Sequence, residues 1–344
     1  MKREDLVKTL TSVMVGVNLK QKAEGFDNFV FHSGAVSTFN FDLSISHPLD
    51  IGVECAVKAE DMVKVLSKME GETVDISIYK ENQLEIKDAK TTLRLVLLED
   101  KISEQVESLK FKDLKWKKLP EGFLEGLSKT YFSASKDITF GSLAGVGVSE
   151  DNILSTDNWR ASWFKMKGKM DPFVIPTQSA INICRFEGYK EYCLADESAW
   201  LHLRNKEGVI FSCRLLASDD YPFEGVINYF NIDTDKKFTF PEEIKASFER
   251  AGLLAFSDQV SGNEFVSIQE EKGFLILTGA NDYGSLSEKV KIKDGSFPKK
   301  VKIDISHKFL LEILSKSKEF FFNNNTVIFD IGNFKHLITV IEPE

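Results

Sequence analysis

The sequence is short of the residues that most often announce chemistry. Its four cysteines, Cys55, Cys184, Cys193 and Cys213, never stand in a CxxC spacing. Its five histidines, His32, His47, His202, His307 and His336, never pair at i, i+4. Zinc sites usually show paired ligands in sequence, so no metal or other cofactor is expected. Buried free thiols in a reducing compartment are the better reading. GxGxxG, P-loop, GxSxG and HExxH motifs are all missing, and the glycines of "GSLAGVG" lack nucleotide-binding spacing. Asp219-Asp220 and Glu242-Glu243 are adjacent acids of the kind found on solvated loops and helix starts. Together these absences point away from an enzyme. No apolar run approaches the roughly 20 residues that a spanning helix needs. The opening "MKREDLVKTLTSVMVGVNLKQK" is charged from its second residue, unlike a signal peptide. A cytoplasmic protein with no membrane partner is expected.

What is present is a globular composition, 42% hydrophobic and 28% charged, in a chain long enough for two or three domains. The chain also repeats itself. Three segments follow one order: a helix, strands around a Thr/Asp/Asn corner, a second helix, then alternating strands. The first runs from "REDLVKTLTSVMVGV" through "VSTFNFDLSIS" and "KAEDMVKVLSKM" to "TVDISIYKENQLEIKDAKTTLRLVLLE". The second opens with "PEGFLEGLSKTYFSAS", where Pro120 suits a helix's first turn, and passes through "NILSTDNWRASWF". The third opens with "PEEIKASFERAGLLAFSD" and ends in "EFFFNNNTVIFDIGNFKHLITVIEP". Val57, Ile175 and Ile305 each close the strand entering the second helix of a segment. The polar stretches "SEQVESLKFKDLKWKK" and "NYFNIDTDKK" read as linkers. The expected fold is α+β: three similar domains, 1–112, 118–230 and 236–344, each an antiparallel sheet with two helices. Unpaired sheet edges invite further strands, so such units can join edge to edge into an arc, and two arcs can close a ring.

Four strings carry a family likeness. "GVECAVKAEDMVKVLSKMEGETVDISIYKENQLEIK" and "LSTDNWRAS" are the first two; the second resembles an Ala-Thr-Asp-Gly-His-Arg-Leu corner. "FSCRLLASDDYPFEGVI", with Tyr221-Pro222, and "ERAGLLAF" are the others. In this order the chain resembles the bacterial DNA polymerase III β subunit, the sliding clamp, over essentially its whole length. The resemblance implies the DNA clamp fold, six domains per ring as a homodimer, and no catalytic activity. It implies that the ring encircles double-stranded DNA without reading sequence and tethers a DNA polymerase, with a clamp loader as further partner. A repeat-built protein-interaction scaffold that does not encircle DNA is the alternative.

The net charge of −9 looks wrong for nucleic acid, but its distribution matters more than its sum. Over the six helical segments that would line a hole the net charge is +3, leaving −12 elsewhere. Sliding needs backbone contacts, which carry no sequence information. The resemblance places Lys20, Lys22, Lys64, Lys68, Lys136, Arg185 and Lys316 toward DNA. It places a partner-peptide pocket at Thr156, Asn158, Trp159 and Arg160 on the rim, with Leu143 below, Asn228 beside it, and Val340, Ile341 and Pro343 on the tail side. Aromatic and Arg side chains dominate binding energy at interfaces. Trp159, Asn158 and Ala161 replace the family's His, Gly and Leu, and the tail "TVIEPE" is more acidic than Met-Pro-Met-Arg-Leu. This suits a phage- or plasmid-encoded member that prefers its own polymerase. For ring closure, Leu93 and Leu95 are expected to meet Leu253 and Leu254 of a partner subunit.

Overall fold

A computed structural model describes the chain except for residues 18–24, 110, 112, 187, 196–198, 232–235, 258–262, 294, 300, 324 and 342–344. The first repeat comprises α1 (Arg3–Val13), β1 (Asn28–His32), β2 (Ala35–Phe39), β3 (Leu43–Pro48), β4 (Cys55–Lys58), α2 (Ala59–Leu66), β5 (Asp75–Tyr79), β6 (Gln83–Lys87) and β7 (Thr92–Val96). After it come α3 (Ser103–Ser108) and β8 (Lys117–Lys118). The second comprises α4 (Phe123–Thr130), β9 (Gly145–Thr156), β10 (Arg160–Pro176), α5 (Thr177–Ile183), β11 (Tyr189–Ala195), β12 (Trp200–Asn205), β13 (Ile210–Arg214) and α6 (Phe223–Asn228). The third comprises β14 (Lys237–Thr239), α7 (Ile244–Ala251), β15 (Phe256–Ser257), β16 (Glu264–Glu271), β17 (Phe274–Asn281), β18 (Gly284–Lys291), β19 (Lys302–Ser306), α8 (His307–Leu314), β20 (Glu319–Asn323), β21 (Thr326–Ile331) and β22 (Phe334–Thr339).

The repeat is visible at one point in atomic detail. Val57, Ile175 and Ile305 are each the penultimate residue of their strand, each is fully buried, and a helix begins two residues later. A β-branched side chain suits the last inward position of a strand, and the polypeptide then turns at once into an amphipathic helix.

Contacts divide the chain into two compact units, and each draws on more than one repeat: Met1–Leu119 with Gln178–Leu216, and Pro120–Thr177 with Ala217–Glu344. In the first unit one sheet runs β4-β1-β2-β3-β13-β12-β11-β8, and β5-β6-β7 form a second. The seam between repeats is the antiparallel pair β3–β13, from Leu43↔Cys213 to Ser46↔Ile210. Helix α1 lies on α2, β2 and β3, burying Leu6, Leu10 and Val13 with Met62 and Leu66 of α2, as the three-and-four spacing predicts.

In the second unit one sheet runs β14-β20-β21-β22-β10-β9, and a second runs β15-β16-β17-β18 with β19 added on β16. Its seam is β22–β10, from Arg160↔Ile338 to Phe164↔Phe334. Helix α4 covers β9 and β10, while α7 and α8 lie against each other and over the second sheet. Gly147 is a close-approach position: a Cβ there would sit 2.4 Å from the ring of Tyr221. That ring is buried, and its hydroxyl donates to the Leu154 carbonyl at 2.9 Å.

Two local expectations fail. Pro120 precedes α4 instead of lying in its first turn; the helix starts at Phe123 behind Gly122, whose φ of +91° only glycine adopts freely. The stretch read as a polar linker after β7 is a structural strap. Ile102 and Leu109, with Val106 and Phe111 beside them, form a cluster with Val30, Phe39, Ala56 and Trp200 of the first unit's sheet. Its apolar residues recur at four- and three-residue spacing, so the charged residues between them simply face water.

Candidate functional site

The β9–β10 corner owes its shape to Asp157. Its Oδ1 accepts from the backbone N–H of Trp159 at 3.1 Å and of Arg160 at 3.0 Å. This side-chain-to-backbone pairing is why Asp favours tight turns. Asn158 takes the one left-handed position, φ +70°, which Asn tolerates better than most residues. Thr156 donates from Oγ1 to the Arg160 carbonyl at 2.7 Å and accepts from the Asn158 N–H at 3.1 Å. The Trp159 carbonyl accepts from the Thr339 N–H at 2.9 Å and its hydroxyl at 2.7 Å, tying the corner to the end of β22. Trp159 itself is half-buried, edge-on to Phe265 with ring centroids 6.0 Å apart.

Rim positions for Arg160 and Thr156 are not what the structure has: each is only 3% exposed. The Arg160 Nε donates to Asp157 Oδ2 at 2.9 Å, Nη1 reaches Glu312 of α8, and the guanidinium lies 4.0 Å from the centre of the Phe309 ring. A buried guanidinium needs such partners, because an unpaired charge in this environment is very costly. Burial pushes the Asp157 carboxyl up, and Arg160 with the two backbone donors pulls against that shift.

Below Arg160, Ser162 on β10 holds Nδ1 of His336 on β22 at 2.9 Å and the Ser133 hydroxyl at 2.7 Å. Burial pushes the His336 imidazole well below its ordinary value, with Arg160 and Lys316 acting the same way. A hydroxyl at this distance from an imidazole resembles a nucleophile and its base. All three side chains are fully buried, however, so no substrate reaches them. The group is a core network.

The tail runs beside the corner. Val340 is buried and its N–H donates to the Asn325 carbonyl at 2.8 Å, and Ile341 exchanges two backbone hydrogen bonds with Asp304 at 2.8 and 2.9 Å. Pro343 lies outside the described residues. Asn228 is exposed at the end of α6, and Leu143 is half-buried in the turn before β9. The structure thus brings Thr156, Asn158, Trp159 and Arg160 together with the start of the tail. Sequence reasoning marks Asp157 only as part of the turn and misses Glu312, Phe309 and Phe265; Glu312 is 152 residues from its arginine.

Of the cations assigned to DNA, Lys20 and Lys22 lie outside the described residues, and Lys64, Lys68, Lys136 and Arg185 are exposed. Lys316 is engaged: its Nζ lies 4.3 Å from the centre of the Phe132 ring, and partial burial followed by repulsion from Lys129 holds it below the usual lysine range. At the sheet edges, Leu93 and Leu95 are half-buried on β7, opposite Ile86 and Leu84. Leu253, in the turn after α7, is 76% exposed, and Leu254 is half-buried. Among the described residues no cluster of three His, Cys, Asp or Glu side chains is placed to hold a metal ion. No described helix is long and apolar enough to cross a membrane.

No protein-family model and no curated protein sequence matches the chain. Solved structures do. The DNA polymerase β subunit of Streptococcus pyogenes superposes with a TM-score of 0.80 at 16% identity, covering 100% of this chain and 99% of that one. The DNA polymerase sliding clamp of Bacillus subtilis gives 0.78 at 17% identity over 100% and 98%. The DNA polymerase III β subunit of Thermotoga maritima gives 0.78 at 16% over 100% and 99%. The chain has the DNA clamp fold. At such identity it is the backbone that has been compared, and the likeness is one of fold. The α+β expectation and the likeness to β subunits both hold at the level of fold.

Proposed function

We propose that the chain is a DNA sliding clamp: a non-catalytic processivity factor that closes around duplex DNA as a homodimer and tethers a replicative polymerase. The observation that carries this reading is the superposition, at a TM-score of 0.80, on a polymerase β subunit along essentially the full length of both chains. The two seams support it, since β3–β13 and β22–β10 join repeats edge to edge as an arc of domains 1–112, 118–230 and 236–344 requires.

The remaining assignments follow from this reading. Strand β7 ends its sheet with Leu93 and Leu95, and Leu253 stands exposed with Leu254 beside it; these are the surfaces through which two copies close the ring. Exposed Lys64, Lys68, Lys136 and Arg185, with Lys20, Lys22 and Lys316, contact phosphates weakly enough to slide. Asn158, Trp159, Leu143, Asn228 and the tail through Ile341 and Pro343 form the seat for peptides of the polymerase and the clamp loader. Thr156 and Arg160 shape that seat from beneath.

The test is retention on DNA. Protein loaded on nicked circular DNA should stay through a salt wash and slide off once the circle is cut. Equal loss from circular and linear DNA would favour a plain scaffold. In solution the mass should be that of a dimer, and Leu253→Asp with Leu254→Asp should give a folded monomer. An unfolded product would show that these leucines belong to the core.

A further inference from the structure

The β22–β10 seam carries two lysines on an aromatic floor. Phe164 of β10 stands directly opposite Phe334 of β22, and both rings are fully buried. The Lys129 ammonium, at the end of α4, lies 5.4 Å from the centre of the Phe164 ring. The Lys316 ammonium, just past α8, lies 5.1 Å from that of Phe334 and 4.3 Å from that of Phe132, in the turn after α4. Opposed residues of an antiparallel pair have Cα atoms about 5 Å apart, so the two rings hold their ammonium groups as neighbours.

The charges bear this out. Partial burial, then repulsion from Lys129, holds Lys316 below the usual lysine range, with Glu312 pulling the other way. Glu312 itself is taken by Arg160. Lys316 forms no ion pair among the described residues. Lys129 has Glu125, 2.7 Å away and one turn back, a surface pairing that contributes little and opens readily. Helix dipoles favour a cation near each C-terminus, which accounts for either lysine alone. They do not account for two lysines from different repeats held over adjoining rings, where each disfavours the charge of the other. Cation–π contact fixes both ammonium groups without neutralising them. Such a pair is satisfied by an anion with several oxygens that both can reach. Water reaches both: Lys316 is exposed, and the Lys129 side chain is 30% exposed.

We propose that Lys129 and Lys316 hold one phosphate oxyanion between them at this seam. Its source is either the backbone of duplex DNA or a free phosphate. With DNA as source the inference rests on the clamp reading, to whose cations it adds Lys129, coupled to Lys316. Such a contact positions a duplex without reading its sequence.

Two arms separate the sources. In the first, binding of a labelled duplex oligonucleotide is followed against salt for the full chain, Lys129→Gln, Lys316→Gln and the double variant. Each neutralised phosphate contributes about 0.9 to the slope of log Kobs on log salt. Two lysines that share one phosphate should together lose about one from that slope, whereas independent contacts would lose about two. Duplexes of unrelated sequence should weaken alike. In the second arm inorganic phosphate is titrated and the lysine side-chain NMR signals are followed, with acetate at equal ionic strength as control. Saturation of the Lys129 and Lys316 signals by phosphate, with an unchanged DNA slope, assigns the seat to free phosphate. The proposal is overturned if the slope is unchanged and phosphate does not saturate, if the double variant loses about two, or if acetate matches phosphate. Both substitutions keep the side-chain stem, and an unaltered urea midpoint verifies the fold. Retention on nicked circles tests the clamp reading separately. Retained protein with neither a slope change nor a phosphate response brings down the seat alone; lost retention with a slope change leaves the seat standing.

Discussion

At Asn40–Leu43 in the first unit and Asp157–Arg160 in the second, the backbone makes the same turn with different side chains. Asn40 N–H donates to the Leu43 carbonyl at 2.9 Å, and Asp157 N–H to the Arg160 carbonyl at 3.3 Å. Asn40 Oδ1 accepts from the N–H groups of Asp42 and Leu43, as Asp157 Oδ1 does from Trp159 and Arg160. Phe41 and Asn158 both have φ of +70°. Across the seam, Arg214 N–H meets the Asp42 carbonyl at 2.9 Å, and Thr339 N–H meets that of Trp159 at the same distance. Each seam also buries one histidine against a serine, His202 with Ser212 at 2.8 Å and His336 with Ser162 at 2.9 Å. The closing residue separates the two: buried Leu43 ends the first corner in apolar packing, and Arg160 ends the second in an ionic network reaching α8. One backbone plan therefore serves either as a plain apolar seam or as the anchor of an ionic network that reaches a helix of another repeat.

The largest effect should come from Arg160→Ala. It strands Asp157 and removes the partner of Glu312, and breaking a buried pair from one side costs about 3–5 kcal/mol. Urea unfolding checks this, and a loss under about 1 kcal/mol would mean that the two corners are held alike. Next comes pH. Burial holds the His202 imidazole at about 4, below the ordinary 6.5. The unfolded chain takes up a proton first, so stability is full above pH 6.5 and declines as pH falls toward 4. By pH 5 the loss assignable to His202 should be about 2 kcal/mol. His202→Gln should flatten that part of the curve; an unchanged profile would assign the effect to other groups.

Smaller effects probe the turns themselves. Asn40→Ala removes the acceptor for two backbone donors and should cost about 1 kcal/mol in chemical denaturation. Exchanging the left-handed residues is the finest comparison. Asn158→Phe puts a bulky side chain where Asn was at ease and should cost about 1 kcal/mol. Phe41→Asn should be near neutral, because relief of strain offsets the lost contact with Phe26, 4.4 Å away between ring centroids. Equal effects from the two exchanges would show that the corners are less alike than their hydrogen bonds indicate.

Much of this architecture was legible in the sequence because it is local. Periodicity marked α1, α2 and the hairpin β5–β6, and Val57, Ile175 and Ile305 marked the repeat. The strap escaped because charge density was read before spacing: Ile102, Val106 and Leu109 form one stripe whatever lies between them. Trp159 and the Thr-Asp-Asn corner were legible as a turn with something to present. The depth of Arg160 was not, since its burial depends on Glu312 and Phe309 arriving from another repeat, a long-range event that leaves no local mark.

The seams have a mechanical consequence. Where β3 meets β13 and β22 meets β10, adjoining repeats share rungs of a single ladder with no loop between them to act as a hinge. Bending there distorts several amide–carbonyl bonds at once, so each boundary behaves as a stiff plate. Compliance, if the molecule is to open, has to be found at edges such as β7, where the ladder stops.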